Sequence, residues 1–108
     1  MGEEVTWKVL WANRALCDLE RIITYLNRRN PAAALKLGQA ILKKTDLLGH
    51  HPEMGAVLDE DPECRVVVQS PYKIYFRLLA ADRAVEVLHF RHGSQDAPTH
   101  DDLGRPTS

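Results

Sequence analysis

Cysteine and long apolar runs are both scarce in this chain of 108 residues. Cys17 and Cys64 are too few and too isolated for a disulfide framework, so both are expected to be free thiols. No apolar run approaches the roughly 18 residues that suggest a membrane-spanning helix, which predicts a protein that does not enter a membrane. Residues 1–4 lack the basic start and apolar stretch of a signal peptide, so a cytoplasmic location is expected.

An excess of positive charge is also missing. Fourteen basic and fifteen acidic residues give a net charge of −1, whereas nucleic-acid-binding domains usually carry a basic surplus. The weak overall field argues against electrostatic steering onto nucleic acid. Residues 65–92 nevertheless hold five basic and two acidic residues. The sequence therefore predicts a basic sheet within a nearly neutral protein.

Familiar catalytic and metal-binding motifs are absent as well. The chain has no CxxC pair, no Gly-x-Ser-x-Gly elbow and no glycine-rich phosphate loop, which argues against the common hydrolase and nucleotide-binding classes. Five histidines are present, but no acidic or cysteine partner stands at ligand spacing. We therefore predict no metal and no cofactor.

What the chain does contain is a strand-rich segment at residues 65–92. β-branched and aromatic residues dominate three stretches, at 65–71, 72–79 and 84–92. Ser70-Pro71 and Asp82-Arg83 are typical of turns, because proline fixes its own φ and aspartate can bond its own backbone. The pattern predicts three antiparallel strands in a meander.

Alternation along these strands predicts two different sheet faces. Ile74, Phe76 and Leu78 alternate with polar neighbours, and in the last strand Glu86, Leu88, Phe90 and His92 alternate with Val85, Val87, His89 and Arg91. One face is expected to be covered by apolar side chains. The other, here called the mixed face, is expected to carry Arg65, Lys73, Tyr75, Arg77, His89 and Arg91.

The mixed face suits more than one function. Its cations can hold phosphate, and a tyrosine or histidine can stack on a base or move a proton, as in a metal-free ribonuclease. The same surface suits an acidic helix from a partner protein. A third alternative is a solvated face without a role, because antiparallel sheets often leave one face to water.

Residues 5–11 alternate like a short first strand, and two helices follow. The first is expected to be capped by Asn13, with apolar positions at 12, 15, 16, 19, 22, 23 and 26 on one stripe. Off that stripe, and expected to be solvated, lie Arg14, Asp18, Arg21 and Arg28.

The second helix is expected to begin after the cap Asn30 and to run to about Leu48, with Gly49 as its terminator. Its apolar face is expected to contain Ala34, Leu37, Ile41 and Leu48. Residues 56–63 are expected to be irregular.

These elements predict an α+β fold. An N-terminal strand and an antiparallel helical hairpin would pack on a mostly antiparallel sheet, which the three-stranded C-terminal meander completes. Residues 1–98 are predicted to form a single domain, and residues 99–108 a flexible polar tail.

This order of elements resembles the RelE/ParE superfamily of type II toxin–antitoxin toxins over about residues 5–97. The first helix, with Ala15, Leu19, Ile22 and Tyr25, the Pro31-Ala32-Ala33 helix start and the loop at 47–55 all contribute to the resemblance. So do Arg65, the 72–76 strand and the 85–88 strand. The ending His92-Gly93-Ser94-Gln95-Asp96 is similar to that of the ParE branch, although Gln95 stands where arginine is common.

The resemblance implies a toxin. ParE-type toxins inhibit DNA gyrase and are neutralised by an antitoxin that also binds operator DNA. RelE-type toxins cleave mRNA on the ribosome with basic residues on the sheet and an aromatic residue near the C-terminus. No tyrosine follows Tyr75 here, so a gyrase inhibitor with no catalytic residues is our first hypothesis.

Two alternatives stay open. One is a metal-free endoribonuclease of RelE type, whose catalytic residues would be Arg65, Arg77, His89, Arg91 and His92. The other is a toxin-like chain that has lost toxicity and only binds its antitoxin.

All three hypotheses predict a ParD-like antitoxin as partner, with an acidic or amphipathic segment that folds onto the hairpin and the sheet. Gyrase would be the target, and operator DNA would be reached only through the antitoxin. The expected contacts with target or antitoxin are Arg65, Lys73, Tyr75, Arg77, Arg91, His92 and Gln95. The helix residues expected to face the antitoxin are Arg14, Arg21 and Arg28.

Overall fold

The computed structural model describes residues 6–93, which form two α-helices, five strands and a short 3-10 helix, Ala80–Asp82, between the last two strands. In chain order these are β1 Lys8–Trp11, α1 Asn13–Arg29, α2 Pro31–His50, β2 Ala56–Val57, β3 Cys64–Gln69, β4 Tyr72–Leu79 and β5 Ala84–His92. The predicted α+β class is confirmed. Predictions about Val5, Gln95, the boundary at residue 98 and the tail 99–108 lie outside the described residues.

The sheet has the strand order β1-β5-β4-β3-β2. Strands β3, β4 and β5 form the predicted antiparallel meander. Strand β1 joins as an edge and runs parallel to β5, a pairing that needs a crossover, which α1 begins. Residues 56–63 are not wholly irregular as predicted, because β2 pairs with Arg65 and Val66 at the other edge.

The two helix starts differ from each other. The prediction that Asn13 caps α1 is wrong, because Asn13 is already helical and Ala12 occupies the cap position. The Ala12 N–H donates to the Val87 carbonyl oxygen at 2.9 Å, so the chain passes directly from sheet to helix. Asn30 does cap α2, since its side-chain oxygen accepts the Ala33 N–H at 3.1 Å.

The end of α2 also corrects the sequence prediction. The helix continues to His50, and Gly49 lies within it rather than ending it. A Cβ at Gly49 would come within 2.8 Å of the Trp7 carbonyl oxygen, while the Trp7 N–H donates to the Gly49 carbonyl oxygen at 2.8 Å. Glycine is therefore needed here because the segment before β1 crosses the helix at close range.

The main core lies between the helices and one sheet face. Its buried members are Ala15, Ile41, Leu48, Val67, Ile74, Phe76, Val85, Val87 and Phe90. The α2 face is as predicted, but Leu16 of the predicted α1 stripe is exposed. Neither helix within residues 6–93 has the length and apolar character to cross a bilayer.

A β-bulge in β5 changes the predicted alternation. Tyr75 pairs with His89 while Phe76 pairs with Val87, so Leu88 is an extra residue on β5. Val85, Val87 and Phe90 consequently all join the main core, although they were predicted on two faces. Leu88 instead packs in a small second cluster on the other side of the sheet with Cys64 and Tyr75.

Candidate functional site

The mixed face predicted from sequence does not form one open site. Lys73 pairs with Arg91 and Tyr75 with His89 across β4 and β5, and directly opposed residues share a sheet face. Tyr75 and His89 are nevertheless only 6% and 3% exposed. Arg77 donates from Nε to Oε1 of Glu86 at 2.8 Å. Two predicted members are thus buried, and a third is held in an ion pair.

The prediction that Arg65 joins the mixed face is wrong. Arg65 lies opposite Phe76, so it belongs with Val67 on the face that packs against the helices. Its Nη1 donates to the Glu53 carbonyl oxygen at 2.9 Å. Arg65 therefore holds the loop that follows α2 against β3 through this hydrogen bond.

Tyr75 is a buried member of the mixed face rather than an exposed acid–base group. Burial raises the pKa of Tyr75, Arg91 lowers it, and Glu60 raises it, with a net upward shift. Its hydroxyl therefore stays protonated at neutral pH. The ring stacks on the His89 imidazole, with centroids 6.3 Å apart and planes at 30°, so both rings act as packing partners.

Asp18, which was predicted to be solvated, is a buried carboxylate that contacts the edge of β5. Asp18 on α1 is 3% exposed, which corrects the expectation that it is solvated. Its Oδ2 accepts the Phe90 backbone N–H at 3.1 Å and lies 2.5 Å from Nδ1 of His89. Strand β1 pairs with β5 only as far as Val87. Beyond that point, at Phe90, the Asp18 carboxylate accepts the backbone N–H that a neighbouring strand would otherwise bind.

Two arginines approach the other oxygen of Asp18. Arg14 Nε donates to Oδ1 at 3.1 Å, and Arg21 Nη1 lies 3.7 Å from the same atom. Burial alone would raise the pKa of Asp18, but hydrogen bonds from His89, Phe90 and Arg14 outweigh it and hold the pKa below its usual value of 3.8. Asp18 is therefore a fixed negative charge at neutral pH.

The charged residues surround a groove of about 510 Å³ along the edge of β5. We call it the α1–β5 groove, and its lining residues are Arg14, Asp18, Arg21, Ile22, Tyr25, Tyr72, His89, Phe90, Arg91 and His92. The groove thus brings two of the helix candidates together with three of the strand candidates. Among the described residues, Lys73 and Arg77 do not line it, and Arg28 lines a neighbouring depression with Cys17.

Contacts within the strand side of the groove orient its polar groups. Arg91 Nη1 lies 3.5 Å from Nε2 of His89. The His92 ring meets the Tyr72 ring edge-on, with centroids 5.4 Å apart. Within residues 6–93, no three His, Cys, Asp or Glu side chains are grouped to hold a metal ion. The groove is instead rich in guanidinium donors, which suit carboxylate or phosphate groups.

Sequence spacing offered a partial signal for this site. Arg14 and Arg21 stand four residues before and three residues after Asp18, and such positions are neighbours on a helix surface. That pattern identifies a charged cluster on α1. It gives no information about His89, which is 71 positions away from Asp18 in the chain.

The family model described as ParE toxin of type II toxin-antitoxin system, parDE, matches residues 9–97. Toxin RelE2 from Caulobacter vibrioides is 32% identical over 88 residues, which cover 82% of this chain and 97% of that protein. Toxin RelE1 from the same organism is 34% identical over 93 residues, with coverages of 82% and 96%.

Solved structures show the same fold. A chain of the chromosomal ParDE toxin–antitoxin system from P. aeruginosa has a TM-score of 0.68 at 21% identity, covering 81% of this chain and 96% of that one. A chain of the toxin–antitoxin complex RelBE2 from Mycobacterium tuberculosis has a TM-score of 0.61 at 16% identity, with coverages of 85% and 97%.

Proposed function

Because the chain belongs to the ParE toxin family of type II toxin–antitoxin systems, we propose that it is a cytoplasmic toxin that inhibits DNA gyrase and is neutralised by a cognate antitoxin. The family membership carries this proposal. It supports a toxin with a protein target, and the neighbouring ParDE and RelBE2 systems support an antitoxin as partner.

The geometry of the mixed face favours a binding inhibitor over a ribonuclease. A ribonuclease of this kind needs cations and a proton-transferring group on one accessible surface. Arg65 lies on the other face of the sheet, Arg77 is paired with Glu86, and His89 is buried against Asp18. Arg65 and Arg77 are therefore separated from His89, Arg91 and His92, which line the α1–β5 groove. The predicted catalytic set is consequently incomplete on any one surface, whereas a protein-binding surface needs no such set.

A supercoiling assay tests the proposal. Purified DNA gyrase acts on relaxed plasmid in the presence of increasing amounts of the folded chain, and supercoiled product is measured on gels. We expect inhibition that rises with the amount of the chain. The same preparation denatured by heat serves as the control. Full supercoiling in the presence of a large excess of folded protein would contradict gyrase inhibition.

A RelE-type endoribonuclease is the second candidate, and one observation favours it. The Asp18 carboxylate holds the His89 ring in place beside Arg91, an arrangement that could orient a proton-transferring imidazole. A cell-free translation system with a labelled mRNA distinguishes the two candidates. Ribosome-dependent cleavage with unaffected gyrase supports the ribonuclease, whereas intact mRNA and continued translation exclude it.

The third alternative has its own signature. Active gyrase, intact mRNA and harmless overexpression without an antitoxin would together show a toxin-like chain without toxicity.

A further inference from the structure

We propose that the chain forms a homodimer through the outer side of its helical hairpin, with α1 of one copy lying along α2 of the other. This inference goes beyond the proposed function and depends neither on gyrase as the target nor on an antitoxin. The surface concerned, here called the hairpin seam, is the outer groove between the two helices, and its residues are Leu16, Ile23, Leu35, Gly38 and Leu42.

Three leucines of the hairpin seam are largely open to solvent. Leu16 is 49% exposed, Leu35 is 64% exposed and Leu42 is 60% exposed. Isolated exposed leucines are ordinary on a protein surface, whereas a contiguous apolar group marks an interaction site. A partner that covers this group would also account for Leu16, which belongs to the apolar stripe of α1 but is not buried in the core.

Helix geometry makes the three leucines neighbours. Leu16 and Ile23 stand seven residues apart on α1, which puts them on one stripe of that helix. Leu35 and Leu42 have the same spacing on α2. A Cβ at Gly38 would lie 3.8 Å from Cδ1 of Ile23, so the two stripes face each other across the helix contact. Because the helices run antiparallel, Leu16 then lies within about one turn of Leu42.

The charges that border the hairpin seam favour a second copy over a partner of one charge. Glu20 borders it on α1, one turn after Leu16, whereas Lys36 and Lys43 directly follow the two seam leucines of α2, and Asp46 lies further along that helix. Within residues 6–93, neither Glu20 nor Lys43 forms an ion pair. An interface between identical copies needs both signs on one surface, because each copy presents the same residues to the other.

A twofold axis parallel to the helices brings opposite charges together. It places α1 of one copy antiparallel to α2 of the other, as in an up-and-down four-helix bundle. Glu20 is three residues before Ile23, so it lies about level with the α2 position three residues after Gly38. Lys43 is two residues beyond that position. Glu20 of each copy is therefore expected to meet Lys43 of the other.

The size of the hairpin predicts a weak, reversible dimer. Helix α1 has 17 residues, so the hairpin face is about 25 Å long, and two helices side by side are about 20 Å wide. Contact over the whole face would bury roughly 500 Å² per copy, or about 1,000 Å² in total, which is near the lower limit for a specific interface. The population of the dimer should therefore depend on protein concentration.

The proposed dimer leaves the α1–β5 groove open. Arg14 and Tyr25 line that groove, and the helical repeat puts them on the opposite flank of α1 from Leu16 and Ile23. A ligand of the groove and a second copy on the hairpin seam therefore occupy separate surfaces.

Sedimentation equilibrium of the full chain tests the dimer. Protein is measured over a wide range of concentration in reducing buffer, so that the exposed Cys17 cannot form an intermolecular disulfide. We expect the average mass to rise from that of one chain toward that of two. Leu42→Gln should raise the Kd of the dimer about tenfold, which corresponds to about 1.4 kcal/mol.

Leu47→Gln is the matched control. Leu47 is also on α2 and is 41% exposed, but it points about 140° away from Leu42 around the helix axis. We expect Leu47→Gln to leave the Kd of the dimer nearly unchanged.

Exchange of the two charges tests the arrangement of the helices. Glu20→Lys and Lys43→Glu should each weaken the dimer severalfold, because each creates like charges across the interface. The double variant should restore the wild-type Kd, because it re-forms the pair with its signs reversed. A double variant as weak as the single variants would show that Glu20 and Lys43 are not opposed, and the proposed arrangement would be wrong.

Two further results would overturn the dimer. One is the mass of a single chain at every concentration, and the other is equal weakening by Leu42→Gln and Leu47→Gln. Melting curves of dilute samples separate loss of association from loss of folding. Because Leu42 is exposed in the single chain, we expect its replacement to leave the melting temperature of the monomer unchanged.

Discussion

At the scale of single residues, Asp18 is the side chain that joins the helices to the edge of the sheet. Its Oδ2 accepts hydrogen bonds from the Phe90 backbone N–H and the His89 ring, and its Oδ1 accepts one from Arg14. A carboxylate removed from water is costly unless its lone pairs are satisfied. Here every partner is a hydrogen-bond donor, so the charge is retained and the contact specifies where α1 meets β5.

Replacing Asp18 is expected to destabilise the fold strongly. Asp18→Ala leaves the Phe90 N–H and the His89 ring without their carboxylate, and we expect the free energy of unfolding to fall by about 3–5 kcal/mol. Urea unfolding followed by far-UV circular dichroism measures the change. Glu20→Ala, an exposed acid two residues further along α1, is the control and should change stability by less than about 0.5 kcal/mol.

The lowered pKa of Asp18 predicts how the free energy of unfolding changes at acid pH. The pKa of Asp18 is lowered in the folded state, so the unfolded chain binds the proton more readily than the folded one. Its contribution is fully present above the unfolded value of about 3.8 and is lost as pH falls through the lower folded pKa. Asp18→Asn should therefore show a flatter loss of stability below that pH. Parallel profiles for the two proteins would refute this assignment.

At the scale of elements, the sequence predicted correctly those features that depend only on residues within the element itself. Asn30 and Pro31 predicted the start of α2, and alternation in β4 predicted its two faces. The sequence could not predict the β5 bulge at Leu88, the parallel pairing of β1 or the short strand β2. The pairing of β1 depends on β5 at the other end of the described residues, whereas β2 and the bulge depend on register with a neighbouring strand, and the residue pattern of one strand does not encode such a register.

Two glycines in α2 provide a matched test of the close approach between this helix and the segment before β1. A methyl group at Gly49 would lie 2.8 Å from the Trp7 carbonyl oxygen, whereas one at Gly38 would lie 3.8 Å from Cδ1 of Ile23. Gly49→Ala should therefore destabilise the protein by about 1–3 kcal/mol, as overpacking does. Gly38→Ala should stabilise it by about 0.5–1 kcal/mol, because alanine favours helix.

Thermal or urea unfolding measures both glycine variants. If Gly49→Ala were as stable as Gly38→Ala, the backbone of Trp7 would not be in close contact with α2, and Gly49 would have no packing role.

At the scale of the whole molecule, the candidate site shows where prediction from sequence stops. The relevant types of residue were identified, namely arginines on α1 and basic residues on the sheet. Their grouping was not, because the α1–β5 groove forms only when α1 lies along the edge of β5 beyond β1. Burial of His89 and Asp18 also follows from that packing, and alternation alone gives no information about it.

The main core spans both ends of the described chain, which predicts cooperative unfolding. The only two tryptophans, Trp7 and Trp11, both pack against this core, and the Trp11 ring stacks on Phe90 with centroids 5.5 Å apart. Tryptophan fluorescence therefore reports on the N-terminal edge, while far-UV circular dichroism reports mainly on α1 and α2. We expect both signals to change at the same urea concentration, as in two-state unfolding.

A proline at the start of β1 tests whether that edge is part of the cooperative unit. Lys8→Pro removes the N–H that donates to the Arg83 carbonyl oxygen at 3.0 Å and should cost about 1–3 kcal/mol. Lys8→Ala keeps this N–H and should have little effect, because the Lys8 side chain is exposed. If β1 belongs to the unit, proline lowers both midpoints together. A fluorescence midpoint that falls alone would show that β1 detaches before the helices unfold.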